Sequence, residues 1–203
     1  TTIDDAAGEA FDKVYDDDDA AGEAFDKVSK YYGFGYPGGA YIDRLAQEGD
    51  ETAFRFPKPN LYKGEKGGHR YDVSYSGLKT AAIHQLEQYR RPGAEASPAN
   101  IAASFQKAAC DILLDRLFKA VEDTGLKTIV AGGGVAANSY LRRVLGGRQD
   151  LTVHFPPLKL CGDNGAMIAG LGGRLLERGE RSGFDLNASA RVPLYRKLGQ
   201  QGS

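Results

Sequence analysis

Three short stretches of this chain combine residue types and spacings that suit ligand chemistry. The first is Val130-Ala131-Gly132-Gly133-Gly134-Val135-Ala136-Ala137-Asn138, an apolar run that passes into three glycines and then toward a helix. A backbone without Cβ atoms lets a ligand approach closely, and the free N–H groups of a following helix favour anions or polar groups. A tight strand-to-helix turn with close packing would give the same letters. Gly132, Gly134 and Ala137 also satisfy the spacing of a dinucleotide fingerprint. That motif needs an acidic residue at the end of the next strand, about 20 positions on. Here the next strand ends His154-Phe155-Pro156, and Asp150 precedes it, which disfavours a nicotinamide site.

The second stretch is Asp163-Asn164 at the start of a helix. A carboxylate there can cap the helix or, at the C-terminal edge of an open α/β sheet, face a ligand or metal. The third is Glu23, Asp26 and Lys27 on one helix, close to the loop Tyr36-Pro37-Gly38-Gly39. Carboxylates beside a glycine loop suit hydroxyl binding by carboxylate and backbone, and a solvated helix face accounts for the same charges. His69, His84 and His154 lie apart without metal-ligand spacing, so a zinc hydrolase finds no support.

The elements that must position these residues alternate. Helices are expected over 20–32, 40–48, 78–89, 101–123, 139–145 and 164–178. Short strands are expected at 52–56, 71–75, 128–131 and 151–155. The strongest helix places Phe105, Ala109, Ile112, Leu113, Leu117 and Val121 on one apolar face and stops at Gly125. Helices alternating with strands in the second half of the chain define an α/β layer with parallel pairing. At the start, the eleven residues of DDAAGEAFDKV occur twice, at 4–14 and 18–28, with four consecutive aspartates at the junction. Two copies do not make a solenoid, and residues 1–17 are read as a duplicated or artefactual leader ahead of a domain spanning 18–203.

Composition sets the outer limits. The chain has 203 residues, 41% of them apolar and 26% charged, with a net charge of −1. That is enough for one sizeable core, and it carries no overall basic bias toward nucleic acid. No run approaches the roughly 18 apolar residues of a membrane span, and the acidic start lacks the pattern of a signal peptide, so a cytoplasmic location is expected. Cys110 and Cys161 form no disulfide framework, and Cys110 reads as a small core residue.

Taken in order, DDAAGEAFDKV, Tyr36-Pro37-Gly38-Gly39, Ser74-Tyr75-Ser76-Gly77-Leu78-Lys79-Thr80, the AGGGVAAN run at 131–138 and Cys161-Gly162-Asp163-Asn164-Gly165-Ala166-Met167-Ile168-Ala169 resemble the motifs of the TsaD family of tRNA threonylcarbamoyl-adenosine transferases. The resemblance covers nearly the whole chain from Asp18. It implies an actin-like, sugar-kinase-like ATPase fold, of which this chain would be mainly the C-terminal lobe. It also implies transfer of a threonylcarbamoyl group from threonylcarbamoyl-AMP to N6 of adenosine 37 in tRNAs that read ANN codons. By resemblance Asp26, Gly39, Asp43 and Asn138 would contact the adenylate, and Asp163 would be a carboxylate ligand of an iron or zinc ion. The partners implied are tRNA, a shortened paralogue and an ATPase.

The sequence departs from the family pattern in several places. The family's His-x-x-x-His metal pair and its N-terminal glycine loop do not occur here, and Gly162 stands where many relatives carry Thr. The expectation is therefore an incomplete active site, inactive alone. The competing expectation is a non-catalytic interaction module of the modification complex. A glycoprotease activity rests only on an older family label.

Overall fold

The computed structural model describes residues 21–58, 71, 73–184 and 187. Among them the chain is mainly helical, with one small parallel sheet. The elements are α1 (Ala21–Tyr32), α2 (Gly38–Ala46), α3 (Ser76–His84), α4 (Leu86–Tyr89), α5 (Pro98–Thr124), β1 (Thr128–Val130), a 3-10 turn (Gly134–Ala137), α6 (Ser139–Gly146), β2 (Thr152–His154), a second 3-10 turn (Leu158–Leu160) and α7 (Gly165–Glu177).

Helix α5 is the axis of the core. Ser97 caps it by accepting from the Asn100 N–H, Pro98 opens its first turn, and Gly125 ends it at φ 68°. Its first turns, from Ile101 through Gln106, are buried on every side rather than along one stripe, because α2 packs on one flank and α1 and α3 on others. Phe25 of α1 meets Phe105 edge to face at 5.3 Å. Ala24, Val28, Ile42, Leu78 and Leu145 complete a continuous apolar interior with α5.

Strands β1 and β2 pair in parallel, with Thr128 opposite Thr152 and Val130 opposite His154. Parallel pairing brings the C-terminal ends of both strands to one edge. The glycine run leaves β1 there, and the segment leading to Asp163 leaves β2 there, the place where α/β sheets present ligand sites. A compact unit ends at Asp163, and α7 belongs to a second unit beginning at Asn164.

Three expected elements come out differently. Residues 52–56 form no strand but a single antiparallel bridge, Phe54 to Arg90. The Arg55 N–H donates to Tyr89 O (2.8 Å) and the Arg91 N–H to Ala53 O (2.8 Å), and that brief pairing uses the segment up. Residues 73–75 are not a strand either, and Tyr75 is fully buried with its hydroxyl directed at Ala109 O (3.4 Å). The helix expected over 78–89 breaks at Gln85 (φ −131°, ψ 21°), so that the chain can turn Tyr89 and Arg90 toward Phe54. The first copy of DDAAGEAFDKV and the first three residues of its second copy lie outside the described residues.

Candidate functional site

Asp26 and Gly39 meet at the start of α2. Pro37 occupies the N-cap position and offers no side-chain acceptor. Asp26, one helix away, supplies it instead: its Oδ1 accepts from the Gly38 N–H at 2.6 Å. Helix N-termini leave their first N–H groups without intrahelical partners, so a carboxylate brought from elsewhere both satisfies one of them and complements the positive end of the dipole. Gly38 must be glycine, because a Cβ there would lie 2.5 Å from Phe25 O and 2.7 Å from the Asp26 Cα. Gly39 follows with open space around its Cα.

Asp43 lies one turn further along α2 and repeats the device on a second helix. Its Oδ1 accepts from the Ser139 N–H (2.8 Å) and the Ser139 hydroxyl (2.7 Å) at the start of α6. Among the described residues the second oxygens of Asp26 and Asp43 take no hydrogen bond, and both residues are half-buried. Each carboxylate thus has one oxygen fixed by a helix and one uncommitted.

Gly132, Gly133 and Gly134 are exposed, no atom would meet a Cβ at any of the three, and Gly133 sits at φ 78°, where an L side chain is strained. The 3-10 turn that follows packs against α1, bringing the loop toward the helix that carries Asp26.

Asn138 closes the turn and caps α6, its Oδ1 accepting from the Leu141 N–H at 3.0 Å. That oxygen also accepts from the Cys110 thiol (3.3 Å), while its Nδ2 donates to Gln106 Oε1 (3.0 Å). Its side chain is therefore fully engaged inside the fold, and only 8% of the residue is exposed. Burial, with the nearby Asp111 and Asp43 charges adding to it, pushes the Cys110 thiol up to about 12 and keeps it a neutral donor.

Two further residues, not singled out by sequence, hold the loop in place. Arg142 of α6 donates to Ala136 O (2.6 Å) in the 3-10 turn and to Pro156 O (2.8 Å) beyond β2, and lies over the Phe155 ring. It ties the glycine loop to the segment that ends in Asp163. Tyr140 anchors α6 to α5, donating to Asp111 Oδ1 (2.8 Å) and accepting from Lys107 Nζ (2.8 Å). An arginine or tyrosine on an exposed-looking helix gives no local signal of such bonds.

Asp163 is exposed, and the helix-cap role belongs to its neighbour: Asn164 Oδ1 accepts from the Met167 N–H at 3.1 Å. Glu23 and Lys27 pair with one another along α1. So Asp26, Gly39, Asp43 and Asn138 gather around the starts of α2 and α6. Asp163 makes no hydrogen bond to that group among the described residues, and Arg142 ties the loop beside Asn138 to Pro156 and Cys161 on the segment before Asp163. No cluster of three or more His, Cys, Asp or Glu suited to a metal occurs among the described residues.

A glycine loop leaving the C-terminal edge of a parallel strand pair, with the Asp26 and Asp43 carboxylates on neighbouring helix starts, places this chain among α/β proteins. The sequence profile of the TsaD family, tRNA N6-adenosine threonylcarbamoyltransferase, matches residues 15–170, and the chain belongs to that family, a transferase family of the actin-like ATPase fold. Curated relatives named tRNA N6-adenosine threonylcarbamoyltransferase include one from Treponema denticola, 58% identical over 201 residues, covering 99% of this chain and 54% of the relative. One from Treponema pallidum is 51% identical over 198 residues (98% and 51%), and one from Borreliella afzelii 46% over 195 (96% and 51%). The chain spans about half the length of these relatives.

Proposed function

We propose that this chain supplies the adenylate-binding half of a cytoplasmic tRNA threonylcarbamoyl transferase, which moves the threonylcarbamoyl group from threonylcarbamoyl-AMP to N6 of adenosine 37 in ANN-decoding tRNAs. The observation that carries the reading is the pair Asp26 and Asp43, each held by one oxygen at a helix start with the other oxygen uncommitted among the described residues. A fixed carboxylate with a free oxygen is preorganised to accept a ribose hydroxyl, and such charge-assisted bonds are about twice as strong as neutral ones. Gly39 and the open glycines at 132–134 offer backbone N–H groups beside them. Asn138 enters the site as the residue that fixes the loop, since its own polar atoms are engaged.

An iron or zinc ion, as the family resemblance implies, does not fit the described residues alone, because Asp163 is a single exposed carboxylate and one carboxylate is a poor transition-metal site. Asp163 is proposed as one ligand among several. The chain by itself is accordingly expected to turn over negligibly, working with tRNA, a shortened paralogue and an ATPase.

The test is calorimetric titration of threonylcarbamoyl-AMP into the chain and its Asp26→Ala, Asp43→Ala and Glu48→Ala variants. The two aspartate variants are expected to lose about 5- to 150-fold in affinity and the exposed Glu48 control nothing. Equal binding by all four would make the non-catalytic interaction module the better reading.

A further inference from the structure

Gln106 is an anomaly on α5. It is a polar side chain 4% exposed, in the turn where Ala102, Ala103 and Phe105 are also buried. Its environment fixes which way round both it and Asn138 must lie. The Leu141 N–H at the start of α6 needs an acceptor, so Asn138 presents its oxygen there at 3.0 Å. The Asn138 amide nitrogen is then turned toward α5, and Gln106 answers with Oε1 at 3.0 Å. Cys110, one turn along the same helix, reinforces the arrangement by donating to the Asn138 oxygen. The Gln106 Nε2 is left without an acceptor among the described residues. Gln106 lines an open cavity of about 340 Å³ with Gln47, Glu51, Ser139, Tyr140 and Arg143.

From this we infer that Gln106 is a positioning residue for the proposed adenylate site, acting through Asn138. The inference rests on the adenylate reading above. Without an acceptor at Gln106, the buried Asn138 nitrogen loses its partner, and the side chain gains by rotating toward any other acceptor. Rotation withdraws the cap from Leu141, loosens the Asn138 N–H to Val135 O bond (3.0 Å) that closes the 3-10 turn, and shifts the Ser139 N–H from Asp43. The exit of the glycine loop and the orientation of the Asp43 carboxylate therefore depend on one amide oxygen in the core of α5.

The experiment is calorimetric titration of AMP into the parent chain, Gln106→Leu, Gln106→Glu, Asn138→Ala and the double variant Gln106→Leu/Asn138→Ala, each checked by thermal melting. Gln106→Leu keeps the volume and removes the acceptor, and is expected to weaken AMP about 5- to 30-fold. Gln106→Glu keeps the acceptor, and its charge is tolerable because the cavity is open and contains Arg143. Its affinity is expected within about threefold of the parent, a rescue that a donor role for Nε2 would not give. The double variant is expected to bind no worse than Asn138→Ala, as for residues acting in series.

Losses that multiply in the double variant would overturn the inference, as would a Gln106→Glu variant as weak as Gln106→Leu. Should Gln106→Leu not melt cooperatively, Gln106→Met makes the same comparison. A parent that does not bind AMP removes the adenylate reading and the inference with it. A parent that binds, with Gln106→Leu binding equally well, removes the inference alone.

Discussion

The Asp43 carboxylate accepts both the backbone N–H (2.8 Å) and the hydroxyl (2.7 Å) of Ser139, a residue 96 positions further along the chain. One oxygen thereby joins α2 to the start of α6 and sets the separation between the helix that carries Gly39 and the loop that ends at Asn138. Asp26 does the same for α2 itself through the Gly38 N–H. The candidate ligand carboxylates are also helix caps, and substitution at either should register in stability as well as in binding.

Replacing Asp43 with Ala is expected to cost about 1–2 kcal/mol, the range for a lost N-terminal cap with an accompanying hydroxyl bond. Ser139→Ala, which keeps the N–H bond, should cost about half as much. Urea denaturation of the two variants beside the parent checks this. Equal stabilities would mean that the Asp43–Ser139 link does not persist in solution.

The two glycines of the Tyr36-Pro37-Gly38-Gly39 loop should separate cleanly. A Cβ on Gly38 would push into Phe25 O and the Asp26 Cα, so Gly38→Ala is expected to destabilise by about 1–3 kcal/mol as an overpacked contact. A Cβ on Gly39 would point into open space, and Gly39→Ala should leave stability unchanged or raise it by up to about 1 kcal/mol through helix propensity. Thermal melts decide the order, and a Gly39 variant less stable than the Gly38 variant would refute the packing account.

Much of this arrangement could be read from the sequence, and what could not has a common cause. Gly125 marks the end of α5, and the apolar run into Gly132 marks β1 and its loop, because those signals are local. The pairing of Asp43 with Ser139 and of Gln106 with Asn138 joins residues 96 and 32 positions apart, and no local pattern encodes either. Gln106 looks like the solvent side of an amphipathic helix until α6 arrives to cover it. Residues 52–56 alternate as a strand does, yet the partner they meet is the single residue Arg90, and β-propensity without a ladder yields only a bridge.

Cys110 should make the fold sensitive to alkali. Its thiol is pushed up to about 12 by burial and by the Asp111 and Asp43 charges, whereas an unfolded cysteine titrates near about 8.5. With the folded value above the unfolded one, the contribution is complete below about pH 8.5. It is lost progressively as pH rises toward about 12, because the unfolded chain releases the proton first. Chemical denaturation across pH 7 to 10.5 is expected to show stability falling above pH 8.5, and Cys110→Ala should flatten that slope. Rapid alkylation of Cys110 in the native chain at pH 8 would contradict the burial.

Asp163 and Asn164 are adjacent, and their roles should be distinguishable. Asn164 caps α7 through the Met167 N–H, while Asp163 is exposed and makes no cap. Asn164→Ala is expected to cost α7 about 1 kcal/mol, seen as faster amide hydrogen exchange in the first turn of Gly165–Glu177, with AMP binding unchanged. Asp163→Ala should leave exchange and melting within about 0.5 kcal/mol of the parent, as exposed substitutions do. If Asp163 is one ligand of a metal ion, its effect belongs in metal content instead, measured by elemental analysis after loading with iron or zinc in the presence of the partner proteins. An Asp163→Ala variant that frays α7 as Asn164→Ala does would return the carboxylate to a capping role. One that leaves both exchange and metal content untouched would remove it from the site.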